Sequence, residues 1–373
     1  MKNKLTAVIV GSMMSGMVVA NEGNIKMGID MDLSYVYSDN YQTALTGAAG
    51  TPGIQYIPGT ALSNERNDFD VNMAAVTLSG SSKDLDWLIE ADLAGEDGLT
   101  GSYINQAWLK MNVSEMFTVT AGRMYSFFGF EGTKAKDNWN YLRSYGWQLA
   151  PSWHNGVALN WDMKNGFTAG LHLLDESKED NDTNTTDARD NAYAVGATVG
   201  YSMDKLTTKF DFYRSKEGTY AEALTQYNLN ATYDINDRFA AAAVIGMGKG
   251  DIAAEGSESK YTNYAAYLKF KATEQFYAAL RYEIYEEEVT GTGSYFITTL
   301  TRGFDVADLA GQNSNQFNSA TITGGYDLMN GSELKLDLRM DSADRKVWLD
   351  GGDSTKEKKD SVNVVALAWL YRY

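Results

Sequence analysis

Apolar and polar residues alternate with a period of two over most of this chain, and the pattern is clearest at its end. Every second residue back from Tyr373 is large and apolar, whereas the positions between are smaller and include Arg372. This period places alternate side chains on opposite faces of a β-strand. An aromatic end and a continuous apolar face suit a strand that faces lipid, although a soluble sandwich could close with the same strand.

The first segment with this pattern, residues 25–37, sets Asp30 and Asp32 opposite a face of seven large apolar residues. Two faces of such different polarity imply two different surroundings. The same pattern recurs along the chain and predicts about sixteen strands. They cover residues 25–37, 67–80, 84–94, 103–113, 117–125, 155–163, 167–173, 191–203, 206–212, 223–235, 238–247, 261–272, 276–284, 316–329, 334–341 and 361–373.

The predicted connections alternate between short and long. This alternation predicts an all-β fold, a transmembrane antiparallel up-and-down β-barrel with short periplasmic turns and long extracellular loops. Closure would also leave no sheet edge exposed to lipid. The short turns lie near residues 81–83, 114–116, 164–166, 204, 236–237, 273–274 and 330–331, and the long loops near 38–66, 95–102, 126–154, 175–190, 215–222, 248–260, 286–315 and 343–360.

Composition is consistent with this barrel. The mean hydropathy is −0.36, and no apolar run approaches the roughly 20 residues of a spanning helix. Alternating strands average to a polar sequence, and the 24 tyrosines and 8 tryptophans suit membrane–water boundaries. The chain has no cysteine, which excludes disulfides and thiolate metal sites.

Residues 1–20 have the features of a secretory signal peptide: a basic start at Lys2 and Lys4, an apolar middle and small residues up to Ala20. We expect cleavage near Ala20, a single barrel domain over residues 21–373, and delivery to the bacterial outer membrane, whose lipid is the expected partner. Without the two lysines, 30 basic residues remain against 49 acidic ones, a formal charge of −19. So acidic a chain is not expected to bind nucleic acid.

One stretch carries a family resemblance, clearest over residues 103–160. It runs from Gln106–Asn112 through Phe117–Arg123, Phe127–Glu131 and Asp137–Tyr141 to His154–Val157. It resembles the OmpL-like family of β-barrel porins of Gram-negative bacteria, in which a strand pair ending in Gly-Arg leads into an aromatic loop and a His-x-Gly entry to the next strand. The resemblance implies an outer-membrane channel. Analogy with general porins adds the expectation of a homotrimer.

The loop at residues 126–154 is unusually aromatic, and so apolar a loop is expected to pack rather than extend into solvent. We expect it to fold inward and narrow the pore, with Lys134, Lys136 and Arg143 facing acidic residues of the wall. The alternative is an aromatic cluster at the rim or a contact between protomers.

The inward faces of the predicted strands supply candidate pore-lining residues. Acidic residues outnumber basic ones on these faces, which predicts a mild preference for cations. The last strand carries a second candidate feature, an aromatic assembly signal at Trp369, Tyr371 and Tyr373. The full set of pore-lining and constriction candidates is Asp30, Asp32, Glu90, Asp92, Lys110, Lys134, Lys136, Arg143, Lys209, Asp211, Arg281, Glu283, Asp337 and Arg339.

Enzymatic chemistry finds little support. The only histidines are His154, at the outer end of a strand, and His172, which alternation turns toward the lumen. Neither accompanies a recognisable nucleophile or acid, so we expect no enzyme, no cofactor and no metal site. The favoured function is passive diffusion of small hydrophilic solutes or ions. The alternative is a plugged or structural barrel that binds partners through its surface loops, as an adhesin does.

Overall fold

The computed structural model describes residues 25–39, 68–94, 104–175, 193–215, 224–250, 258–290, 314–346 and 359–373. The predicted signal peptide and most of the predicted long loops lie outside these residues. The connection between residues 125 and 153 is described in full. Among the described residues, no helix is long and apolar enough to cross a membrane.

The described residues form sixteen strands, as the alternating pattern predicts. Each strand is hydrogen-bonded to the strands before and after it in the chain, and every pair is antiparallel. The strands are β1 (Lys26–Ser38), β2 (Asp68–Ser82), β3 (Leu85–Asp92), β4 (Ile104–Asn112), β5 (Phe117–Tyr125), β6 (Trp153–Asp162), β7 (Phe167–Asp175), β8 (Tyr193–Met203), β9 (Leu206–Ser215), β10 (Leu224–Asp234), β11 (Phe239–Gly250), β12 (Glu258–Lys271), β13 (Phe276–Thr290), β14 (Ser314–Met329), β15 (Ser332–Ala343) and β16 (Ser361–Arg372).

The sheet closes on itself through the first and last strands. β1 pairs with β16, with Asp30 opposite Arg372 and Leu33 opposite Trp369. The last residue contributes as well, because Tyr373 and Ile29 exchange two backbone hydrogen bonds of 2.9 and 3.1 Å. The closing strand is therefore the one predicted, and the barrel is closed.

The two faces of the wall differ as the sequence pattern predicts. On β15, Leu336 and Leu338 are 44% and 50% exposed on the outer face, whereas Asp337 and Arg339, at the alternate positions, are 0% and 2% exposed. Exposed apolar side chains of this kind recur along the outer face, as on a wall that faces lipid. Burial of the inward charges requires something inside the barrel to cover them.

The two residues of the turn between β14 and β15 determine the geometry of that hairpin. Asn330 and Gly331 join β14 to β15, and their φ angles are +53° and +82°. Positive φ at both central residues is the requirement of the tight hairpin turn that Asn-Gly favours. A Cβ at Gly331 would lie 2.0 Å from the carbonyl oxygen of Arg372, so glycine is also needed for space.

The strand ends on one side of the barrel extend further than predicted. The sequence pattern predicts a long loop at Glu286–Glu288. This prediction is wrong because β13 continues to Thr290. Alternation persists through the acidic run, with Glu287 buried and its two neighbours exposed, and the backbone stays paired with β12. Likewise β12 begins at Glu258 rather than at residue 261.

Candidate functional site: a segment inside the lumen

Residues 126–152, the connection between β5 and β6, lie against inward-facing side chains of the barrel; we call them the lumen segment. The segment contains one turn of 3-10 helix, Ala135–Asp137, and a short α-helix, α1 (Tyr145–Gln148). Ser144 caps α1 by accepting a hydrogen bond from the Trp147 N–H at 3.1 Å. Only Gly132 and Asp137 of the segment are exposed, and Leu142 and Tyr145 are buried at 0% and 1% exposure.

A buried ion pair joins the middle of the lumen segment to β13. Arg281 Nη1 lies 2.8 Å from Glu131 Oε1 and donates to the Leu142 carbonyl at 2.7 Å. Burial of Glu131 opposes its ionisation, but Arg281 and the Ser144 N–H outweigh that cost and hold the pKa of its carboxyl below the usual value. The pair therefore holds an ionised carboxylate inside the barrel.

Two further wall carboxylates bind backbone N–H groups of the segment. Asp337 accepts from Tyr141 at 2.9 Å and from Leu142 at 2.8 Å. Glu283 accepts from Tyr145 at 2.8 Å and from Gly146 at 2.9 Å. These carboxylates thus fix the path of the segment's backbone.

Cationic side chains of β15 bind the segment's carbonyl groups in the same way. Lys335 donates to the carbonyls of Ala135 and Asn138, at 2.9 and 2.5 Å. Arg339 donates to the carbonyl of Arg143 and is paired with Asp341 on its own strand at 2.8 Å. Wall charges of both signs therefore bind the segment, with backbone groups as the main partners.

Apolar contacts cover the remaining inner surface on this side. One buried cluster joins Ala135, Tyr141 and Leu142 of the lumen segment to inward-facing residues of β16 and β1. A second joins Tyr145 and Leu149 to aromatic residues of β12, β13 and β14. The wall residues of the two clusters are Val36, Val364, Ala366, Ala368, Leu370, Tyr261, Tyr285, Val289, Phe317 and Val362.

The start of the segment is fixed on another part of the wall. The ring of Phe127 stacks on His172 of β7, with centroids 3.8 Å apart and planes 7° from parallel. Asp211 of β9 accepts a hydrogen bond from the Gly129 N–H at 3.1 Å, and Lys209 donates to the Phe127 carbonyl at 2.6 Å. The segment thus leaves β5, contacts β7 and β9, and then reaches β13 to β16.

Lys134 connects the lumen segment to β1 and β3. Its ammonium lies 2.5 Å from Asp30 of β1 and 2.6 Å from Glu90 of β3. Arg372 of β16 binds the other oxygen of Asp30 at 2.5 Å. Lys134 is 16% exposed, so this group is less covered than the pairs on β13 and β15.

The other candidate residues are placed differently. Lys136 donates to the carbonyl of Gly331 in the β14–β15 turn, and Arg143 donates to the Thr133 carbonyl within the segment at 2.6 Å. Lys110 pairs with Asp86 at 2.9 Å, away from the segment.

Two acidic candidates on the wall are also buried. Asp32 accepts from the Tyr141 hydroxyl at 3.0 Å. Asp92 accepts backbone hydrogen bonds from Ala74 and Ala94, both at 3.0 Å.

Three contacts of the lumen segment were not predicted from the sequence. They are the ion pair of Glu131, the hydrogen bonds of Lys335 and the stacking of His172 on Phe127. A signal for the covered wall was present in the closing strand, whose inward face is apolar from Val364 to Leu370. A water-filled lumen would not be lined by such a face, so its composition indicates that something packs against it.

The inner face of β4, β5 and β6 is less covered. Asn105, His154 and Ala158 on these strands are buried, and Nε2 of His154 lies 3.0 Å from the hydroxyl of Ser126 in the lumen segment. Six other inward-facing residues are only half-buried, and none of these six forms a hydrogen bond or ion pair with the lumen segment among the contacts of the described residues. We call this surface the open wall. It consists of Gln106, Trp108, Lys110, Thr118, Thr120 and Asn160.

Solved structures share this architecture. An anion-selective porin from Comamonas acidovorans superposes with a TM-score of 0.62 at 12% identity, covering 94% of this chain and 100% of the other. The outer membrane channel DcaP of Acinetobacter baumannii gives 0.60 at 13% identity, covering 94% and 97%. OmpF of Salmonella typhi gives 0.57 at 13%, covering 94% and 97%. At such identities the likeness shows the fold alone.

Sequence comparison identifies the family. No curated protein sequence matches this chain. The family model described as "Putative beta-barrel porin-2, OmpL-like" matches residues 24–371, nearly the whole chain and all sixteen described strands except the last residue of β16. The chain therefore belongs to the OmpL-like family of β-barrel porins.

Proposed function

We propose that this barrel lets small hydrophilic solutes and ions diffuse across the outer membrane, through a passage that the lumen segment narrows. The observation that carries the proposal is the asymmetry of the lumen. The segment is fixed to β12–β16 and β1, whereas the open wall of β4–β6 keeps half-exposed polar side chains. Sixteen strands leave room for an aqueous channel, and the passage runs between the lumen segment and the open wall.

The charges near Lys134 support a mild preference for cations. On β1 and β3, Asp30, Glu90 and Asp92 face inward, and Lys134 and Arg372 are the only cations among the described residues that form salt bridges with these carboxylates. On β13 and β15 the charges of both signs are buried and paired with each other or with the segment's backbone. Three inward carboxylates thus face two cations beside the proposed passage, and a net negative charge there favours cations.

Liposome swelling tests the channel, and deletion of residues 131–148 tests the narrowing. We expect full-length protein in liposomes to admit small sugars, and the deletion variant to show a several-fold larger single-channel conductance. A heat-modifiable shift in gel mobility verifies that the variant folds. Unchanged conductance in a folded variant would refute the narrowing, and a reversal potential that favours anions would refute the charge preference.

A plugged barrel that acts through its surface loops is the second candidate. It is favoured by the reach of the lumen segment, whose contacts extend from His172 on β7 to Glu90 on β3 by way of β13 and β15. Liposome swelling separates the two candidates, because a plugged barrel admits no solute. Swelling would exclude the plug, and its absence with correctly folded protein would exclude the channel.

The assembly and the export route complete the proposal. A signal peptide cleaved near Ala20 would direct the chain to the outer membrane, and homotrimers would form there by analogy with general porins. The wall of β3–β7, with strands of 8 to 10 residues, is the shortest among the described strands and is the candidate contact face. Mass measurement of the native complex tests the trimer, and N-terminal sequencing of the mature chain tests the cleavage.

A further inference from the structure

Within the described part of the chain, one tryptophan of the open wall has no stacking partner. Trp108 of β4 faces inward and is half-buried. Among the described residues, no aromatic ring or cation stacks on its indole, whereas Trp139, Trp147 and Trp153 each have a lysine or arginine over the ring. In the proposed passage, this indole therefore offers a ring face to a solute.

The positions beside Trp108 leave space in front of the wall. Across β3–β6, one row of paired inward positions is apolar or has no side chain: Leu88, Trp108, Gly122 and Gly156. A Cβ at Gly122 or Gly156 would lie 2.2 or 2.3 Å from a carbonyl oxygen of the neighbouring strand, so only glycine fits there. With strands about 4.8 Å apart, the two glycines leave a gap about 10 Å wide beside the indole.

Polar side chains lie on both sides of this row. Toward the short turns, Lys110 and Thr120 are paired in the next inward row, and Asn160 belongs to the row after it. On the other side, Gln106 accepts a hydrogen bond from the indole N–H of Trp108 at 3.3 Å. Successive inward rows are about 7 Å apart, so a solute on the indole is within reach of polar groups on both sides.

Several of these polar groups have no partner within the described residues. The side chains of Thr118, Thr120 and Asn160 form no hydrogen bond there. Gln106 uses its carbonyl oxygen for the contacts that it makes, which leaves its NH2 group as a donor. Hydroxyl and amide groups donate and accept hydrogen bonds. Such a set matches a ligand that carries many hydroxyl groups.

The charged side chains beside Trp108 are already paired. Lys110 lies 2.9 Å from Asp86, and Lys134 of the lumen segment lies 2.6 Å from Glu90. An ionic ligand would have to compete with one partner of such a pair, whereas a neutral ligand binds beside both pairs. The surroundings of the indole therefore favour a neutral ligand.

We propose that Trp108 is the stacking surface of a binding site for neutral sugars on the open wall. A glucose ring carries its hydroxyl groups at the edge and C–H groups on both faces. One C–H face would pack on the negative face of the indole, beside the gap at the two glycines. The hydroxyl groups would bond to Gln106, Thr120 and Asn160. The site rests on the proposed channel function, because it gives the class of solute that the passage binds.

Block of the ion current by maltotriose, a neutral trisaccharide of glucose, tests the site in planar bilayers with the purified full-length chain. We expect block by maltotriose and none by sorbitol at the same concentration, because this acyclic polyol has hydroxyl groups but no ring face. Trp108→Leu should weaken the maltotriose affinity at least about tenfold, whereas Trp108→Phe keeps a ring and should lose at most about threefold. Thr120→Val removes one hydrogen bond and should lose about threefold.

Trp87→Leu is the matched control, because Trp87 lies on the outer face of the neighbouring strand β3, against Gly80. Its maltotriose affinity should equal that of the unaltered chain. Unchanged affinity in Trp108→Leu, or equal block by sorbitol, would overturn the proposal. Stronger block by tetramethylammonium than by maltotriose would also overturn it, because the indole would then serve cations.

Calorimetry of maltotriose binding in detergent separates this site from the channel. Binding to the unaltered chain and not to Trp108→Leu, without any ion current, would support the site and refute the channel. Ion current with neither block nor binding by maltotriose would refute the site and leave the channel standing. Heat-modifiable gel mobility verifies that each variant is folded.

Discussion

The anchoring wall, β12–β16 with β1, and the open wall of β4–β6 enclose the same lumen but differ in what their side chains do. On the anchoring wall, Arg281, Glu283 and Asp337 are fully buried and bind the lumen segment. On the open wall, Lys110 forms an ion pair at 2.9 Å with Asp86 of the neighbouring strand β3, and the two side chains remain 36% and 24% exposed. Inward charge is therefore used in two ways, to hold a loop and to face water.

This difference changes how an inward-facing charge is interpreted. A carboxylate that accepts two backbone hydrogen bonds from the lumen segment, as Asp337 does, stabilises the segment and is covered by it. In the proposed channel, a half-exposed charge such as Lys110 would act on solutes directly, although water screens it. The number of inward charges alone does not give selectivity; their burial and partners decide it.

The largest effect is expected from the closing strand, which belongs to the anchoring wall. Deleting Trp369–Tyr373 removes four of the nine paired positions between β1 and β16 and exposes the edge of β1 at Asp30–Leu33 to lipid. We expect no folded barrel in the membrane fraction, measured by heat-modifiable gel mobility. The control Tyr373→Phe keeps the aromatic end and should assemble normally. Assembly of the truncated chain would show that closure does not depend on this strand.

Breaking the buried ion pair should affect the segment strongly. Arg281→Gln leaves the carboxylate of Glu131 buried without its cation, a change that typically costs about 3–5 kcal/mol. We expect trypsin to cut the segment after Lys134 and Lys136 at least about tenfold faster than in the unaltered chain, because the segment opens more often. The measurement is the cleavage rate of folded protein in detergent.

The open wall offers a matched control for that experiment. Lys110→Gln removes an ion pair that is partly exposed, and such pairs contribute about 0–1 kcal/mol. Its cleavage rate should stay within about twofold of the unaltered chain. Equal acceleration in the two variants would remove the distinction between the walls.

A smaller effect is expected at Lys134, where the segment borders the passage. Lys134→Gln leaves Asp30 and Glu90 without its ammonium group. The cation-to-anion permeability ratio should rise by about twofold, since one positive charge is lost from the ring. Reversal potentials in a salt gradient measure it, with Lys83→Gln in an exposed turn as the control. A lower ratio would contradict the proposed sign of the field.

The smallest effect is expected from low pH on the stability of the lumen segment. The pKa of Glu131 is held below its ordinary value of about 4.3, so its contribution to stability is complete above that pH and is lost as pH falls through the folded value. The segment should therefore loosen below about pH 4, seen as faster cleavage by an acid-active protease. In Glu131→Gln this acid-dependent step should be absent. An identical pH profile in both proteins would assign the step to other groups.

The sequence predicts the wall well because alternation is a local property. The strand of residues 117–125 is predicted with the bounds that β5 has, and the pairing of β1 with β16 follows from the order of hairpins. The upper end of β13 was misjudged because three consecutive glutamates look like a solvated loop. Pairing with β12 keeps them in the strand.

The partners within the lumen could not be predicted in the same way. The aromatic loop was identified, but Asp337 binds residues about 195 positions away, and no local pattern specifies such a contact. Lys335 was overlooked because its ammonium binds carbonyl groups and has no matching acid in the segment. The useful signal was the apolar inner face of β16, which indicates that the segment covers it.

Cysteine accessibility tests the asymmetry of the lumen most directly, because the chain has no cysteine of its own. Thr120→Cys lies on the open wall, and Thr323→Cys lies on the anchoring wall, where Asn140 covers the threonine at 2.7 Å. A cationic thiol reagent should block current through Thr120→Cys and leave Thr323→Cys unchanged until residues 131–148 are deleted. Equal reaction at both positions in the full chain would contradict this account.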